Sequence, residues 1–66
     1  MNIEMFFTNS NLVKGVIMTL TLKSGEVVKG QFELCSPNNQ VCLFTDNDKY
    51  EYLGIGAIKS VLIEEE

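Results

Sequence analysis

The segment from Val16 to Leu43, VIMTLTLKSGEVVKGQFELCSPNNQVCL, decides the fold. Val16, Met18, Leu20 and Leu22 occupy every second position. After Lys23-Ser24-Gly25-Glu26 the apolar set resumes at Val28, Phe32 and Leu34, with Gly30 in the same series. Alternation on both sides of a Gly-containing turn predicts two antiparallel strands that share one buried face. Gly25 supplies the positive φ of a short hairpin loop. A glycine inside a strand, such as Gly30, marks a bend, a bulge or a close backbone approach. The second strand is therefore expected to be long and strongly bent at Gly30, which is how a small sheet curls into a barrel.

Upstream, Ile3, Phe6, Phe7 and Leu12 are spaced for one face of a short helix within residues 1–13, with Asn2 as cap and Glu4 in its first turn. Asn9-Ser10-Asn11 is expected to end it. Phe6 and Phe7 could stack on bases, but in so small a domain adjacent aromatics more often form a packing face. The strands are expected at Val16–Lys23, Glu26–Cys35, Gln40–Thr45, Tyr50–Leu53 and Ile58–Ile63. Ser36-Pro37-Asn38-Asn39 and Asp46-Asn47-Asp48-Lys49 form turns, and Gly54-Ile55-Gly56-Ala57 a tight connection. Val41, Cys42, Leu43 and Phe44 are consecutive apolar residues, which suits a strand covered on both faces. Residues 64–66, all glutamate, read as a solvated tail.

A chain of 66 residues makes one domain. A core of this size supplies only about 3–5 kcal/mol, so a staple is expected. Two cysteines, Cys35 and Cys42, could join if their strands pair, although two reduced, buried thiols are the commoner outcome. Without histidine, two cysteines cannot close a tetrahedral zinc site, and no cofactor is implied. Oligomerisation is the remaining staple. The run Val61-Leu62-Ile63 would leave a sticky edge if bare, which points to pairing with a second copy of the chain.

No apolar run reaches the roughly 20 residues needed to cross a bilayer, and the start lacks a basic signal region, so a cytoplasmic location without membrane association is expected. Catalysis is not expected. With no histidine, Ser-His and Cys-His pairs cannot form, and no phosphate-binding glycine loop is present. Glu26, Glu33 and Glu51 read as solvated strand-surface carboxylates, and the acidic turn lacks the calcium-loop pattern. The net charge is −4, with nine acids, five lysines and no arginine, so nothing draws the chain to phosphate in general.

The series Leu20-x-Leu22-x-x-Gly25-x-x-Val28-x-Gly30-x-Phe32 resembles the first motif of the Sm-like family, which includes the LSm and Hfq-like proteins. Ala57-Ile58-Lys59-Ser60-Val61 resembles its second motif. The resemblance covers roughly Val16 to Ile63. It implies a mainly β fold: a short N-terminal helix, then a five-stranded, strongly bent antiparallel sheet forming a small, partly open barrel. It also implies a homo-oligomeric ring of about five to seven subunits with fourth and fifth strands paired edge to edge. The edge residues would be Tyr50, Tyr52, Val61, Leu62 and Ile63.

The family binds single-stranded RNA, often uridine- or adenine-rich, near the pore. In this chain the corresponding loops offer Ser36, Asn38, Asn39 and Gln40, and Gly54, Ile55 and Gly56. Ser36 and Gln40 stand where eukaryotic and archaeal members carry aspartate and asparagine. The cation that members place before the fifth strand is replaced by the Gly54–Ala57 stretch. Two functions follow, an RNA-binding ring reading bases through side-chain amides and backbone groups or a protein-interaction scaffold ring without RNA, and the third alternative is a monomeric small β-barrel of another family.

Overall fold

The computed structural model describes residues 2–9 and 12–64. The chain is mainly β: a short helix α1 (Ile3–Asn9) precedes strands β1 (Ile17–Leu22), β2 (Val27–Ser36), β3 (Gln40–Thr45), β4 (Tyr50–Gly54) and β5 (Ile58–Ile63). The strands form one antiparallel sheet in the order β4-β3-β2-β1-β5, not closed by hydrogen bonds. None of the described helices is long and apolar enough to cross a membrane.

The hairpin follows from its alternation. Met18, Leu20 and Leu22 are buried, while the residues between them are half-exposed. Gly25 has φ +97°, and its N–H donates to Leu22 O at 2.9 Å. An L-residue there meets left-handed strain. Gly25→Ala should therefore cost about 1–2 kcal/mol, read as a lower urea midpoint at unchanged slope.

The role of Gly30 is a close backbone approach. A Cβ at this position would lie 2.8 Å from the Phe44 carbonyl oxygen and 3.2 Å from Leu43 Cβ. Here β2 changes partners: Val27–Gln31 pair with β1, and Gly30–Ser36 with β3. The β2–β3 register slips between Phe32 and Leu34, leaving Glu33 as the extra residue of a bulge. Glu33 is not the solvated carboxylate expected from sequence. Its side chain is 15% exposed and pairs with Lys14 at 3.5 Å. Glu26 lies in the turn, ahead of β2.

The core gathers Phe7, Met18, Leu20, Leu22, Phe32, Val41, Leu43, Ile55 and Ile58. The continuous apolar run of β3 is buried on both faces, from Val41 through Leu43. Phe7 is 4% exposed and stacks on Phe32, with ring centroids 6.4 Å apart, while Phe6 meets Phe7 edge-on at 5.2 Å. The aromatic pair is thus a packing face, and Phe7 cannot stack on a base.

Among the described residues helix α1 covers Ile3–Asn9, and Leu12 and Val13 of the expected span 1–13 lie outside it. Asn2 Oδ1 accepts from Met5 N at 3.1 Å, which makes Asn2 the cap. The proposed helix stop at Ser10-Asn11 and the tail residues Glu65 and Glu66 lie outside the described residues. Cys42 is buried and Cys35 half-buried. Both are free thiols although their strands pair, and Cys35 donates to Phe7 O at 3.5 Å. Burial pushes the Cys35 thiol pKa up, which disfavours the reactive thiolate.

Candidate nucleic-acid interface

Two loops far apart in the sequence meet at one end of the sheet. The first closes the β2–β3 hairpin. Ser36 pairs with Gln40, and Asn39 N donates to Ser36 O at 3.2 Å. Ser36 Oγ accepts from Asn38 N at 3.0 Å, so the serine hydroxyl shapes the turn. Asn39 occupies the left-handed region at φ 58°, which asparagine tolerates better than most residues. Pro37, Asn38 and Asn39 are exposed, and Ser36 and Gln40 are half-buried.

The second loop is Gly54 to Ala57. It is not the plain turn expected from its length: Ile55–Ala57 form one turn of 3₁₀ helix, and Ile58 N closes it by donating to Ile55 O. Such a turn is too short to leave a periodic signature in sequence. Gly54, Gly56 and Ala57 are exposed, whereas Ile55 is 4% exposed and belongs to the core. Of the loop residues the resemblance implies for RNA, Ile55 therefore contributes no side chain. It anchors the loop instead.

Pairing of β3 with β4 joins the two loops. Gln40 stands opposite Gly54, and Ile55 N donates to Asn39 O at 2.8 Å. The segment Asn39–Gln40 thus adjoins the backbone of Gly54 and Ile55. On the other side, Lys23 N donates to Ala57 O at 2.8 Å, which ties the β1–β2 turn to the same platform. Helix α1 packs on the 3₁₀ turn and β5. Asn and Gln side chains each bring an acceptor and an NH2 donor, the groups that read an unpaired base edge. No aromatic stands among these residues, so the platform offers hydrogen bonds without stacking.

The five edge residues lie on the two ends of the sheet order. Tyr50 and Tyr52 are on β4, 61% and 57% exposed. On β5, Val61 and Ile63 pack against the core, and Leu62 between them is 64% exposed. Ring pairing of Phe44 with Tyr50, at 5.1 Å between centroids, extends the apolar surface across the outer face of β3 and β4. Leu34, 48% exposed, stands beside Cys42, which is itself paired with Tyr52. Among the described residues no group of three or more Cys, Asp or Glu side chains is placed to hold a metal ion. No family model matches the chain, and neither a search of curated proteins nor one of solved structures returns a match.

Proposed function

We propose that this chain is a non-enzymatic, cytoplasmic Sm-like protein. In this reading it assembles edge to edge into a homo-oligomeric ring and binds single-stranded RNA at the joined loops. The observation that carries the reading is the hydrogen bond from Ile55 to Asn39. It unites, in one exposed amide-rich surface, the two loops that the resemblance independently implies for RNA. The free edges β4 and β5 support the assembly. Pairing β4 of one copy with β5 of the next is a head-to-tail contact, and such contacts close into rings when the rotation per copy allows it. Closure would place the loop platforms side by side around an axis.

Native mass spectrometry in low-salt volatile buffer, with short oligo-uridine and oligo-adenine, tests both parts. The expected species is a closed oligomer of about five to seven copies carrying one oligonucleotide. A monomer would remove the ring. The loop assignment has its own variant. Alanine at position 39 would strain the backbone at φ 58°, so glycine is the cleaner replacement. Asn39→Gly with Gln40→Ala should leave the oligomer intact and weaken RNA about tenfold, the effect of losing one to two neutral hydrogen bonds. Unchanged affinity would exclude the loop as the base-reading site.

A second reading has its own support. The net charge of −4, the absence of arginine and the exposed Leu34, Tyr50 and Tyr52 suit a protein-binding scaffold ring. In that case a closed oligomer should ignore oligonucleotides even at low salt, where phosphate contacts are strongest.

A further inference from the structure

An acidic chain that binds RNA must place its few cations where the strand runs. The five lysines divide clearly. Lys14 pairs with Glu33 at 3.5 Å and Lys29 with Glu64 at 2.9 Å. Lys23, Lys49 and Lys59 make no ion pair among the described residues. Lys49 sits alone in the β3–β4 turn. The other two line one cleft of 360 Å³ beside the loop platform, together with Asn2, Glu4 and Gly56.

Local structure explains why two distant lysines arrive there. Lys23 directly follows β1, and its N–H is held by Ala57 O. Lys59 is the extra residue of a bulge in β5. Thr21 pairs with Ser60 and Leu22 with Ile58, so Lys59 has no partner on β1. Bulges commonly re-aim a side chain in this way. Gly56, which lines the same cleft, presents no side chain and has nothing within 4 Å of where a Cβ would stand. The cleft lining carries two lysines against one carboxylate, that of Glu4, on a molecule that is negative overall. The 3₁₀ turn bounds both this cleft and the amide platform, because Ile55 N is bonded to Asn39 O and Gly56 lines the cleft.

We propose that Lys23 and Lys59 form a phosphate-binding step for the sugar–phosphate backbone of the single strand whose bases meet Asn38, Asn39 and Gln40. The inference rests on the RNA-binding reading above and deepens it. It assigns the cation that the Gly54–Ala57 loop lacks to two neighbouring elements. Ammonium groups act here as point charges that position the strand, and the amides read it.

The test measures oligo-uridine and oligo-adenine affinity by fluorescence anisotropy across a salt series, for the intact oligomer. The variants are Lys23→Gln with Lys59→Gln, and Lys49→Gln as the control for charge alone. Circular dichroism and native mass confirm that each is folded and assembled. Each phosphate contact on a single strand contributes about 0.7 to the slope of log K against log salt, so the double variant should lower the slope by about 1.4. Lys49→Gln should leave the slope unchanged. An unchanged slope in the double variant, with RNA still bound, overturns the lysine step and leaves the loop reading standing. Failure of the unsubstituted oligomer to bind either oligonucleotide at low salt overturns both.

Discussion

Gly30→Ala should lose about half of the stability of this chain. The added Cβ would stand 2.8 Å from a main-chain oxygen, that of Phe44, and 3.2 Å from Leu43 Cβ. Neither neighbour can give way easily. Phe44 is paired with Gln31 on one side and Tyr50 on the other, and Leu43 is fully buried. Relief requires β3 to move off β2 where Gly30 pairs with Thr45 and Gln31 with Phe44. Overpacking of this kind costs about 1–3 kcal/mol. A domain of this size holds only about 3–5 kcal/mol in total. Urea denaturation followed by circular dichroism should therefore show a midpoint lowered by about half, the middle of the cost set against the middle of the total. Gly54→Ala is the matched control. Gly54 has φ −64° and nothing within 4 Å of a Cβ, so its substitution should stay within about 0.5 kcal/mol. Equal midpoints for the two variants would mean that β3 yields freely and that the approach at Gly30 carries no constraint.

In the proposed ring, Leu62→Lys should convert the oligomer to monomers without unfolding them. Leu62 stands opposite Thr19, on the face away from Val61 and Ile63, and is 64% exposed in the single chain. Lysine at this position therefore breaks no core contact. On a strand edge, a charged side chain resists the approach of another strand, which is how soluble proteins keep such edges single. Val27→Lys places the same charge at an equally exposed position, 60% accessible, on a strand inside the sheet order. It should leave the oligomer whole. Size-exclusion chromatography with light scattering at micromolar concentration reads both. An oligomer that survives Leu62→Lys would place the contact elsewhere on the surface.

The hairpin at the start of the sheet was legible because burial on one face forces period two, and Met18, Leu20 and Leu22 obey it without exception. The third strand was legible for the opposite reason: an unbroken apolar run leaves no polar face. What sequence hid was register. The bulges at Glu33 and Lys59 shift pairing by one residue. That shift decides whether Glu33 is solvated or paired and which cleft Lys59 lines. The 3₁₀ turn was hidden because three residues cannot show a period. Its single core residue, Ile55, stands between two exposed glycines and looks like part of a loop. Of the candidate site, the residue types in each loop were legible. The bond between Asn39 and Ile55 was not, since it depends on how β3 and β4 align. The convergence of Lys23 and Lys59 depends on three elements meeting, and no local pattern announces it.

The partner change along β2 has a consequence for how the chain comes apart. In the hydrogen-bonded strand order, β5 reaches the rest of the sheet through β1 and β4 through β3, and β2 is the strand that lies between β1 and β3. Without β2, two separate ribbons of two strands remain, and isolated ribbons of that kind are marginal in water. Neither half is therefore expected to persist as a partly folded species that exposes its apolar inner face. Unfolding should be a single cooperative event, and hydrogen exchange should find the slowest amides in the shared strand.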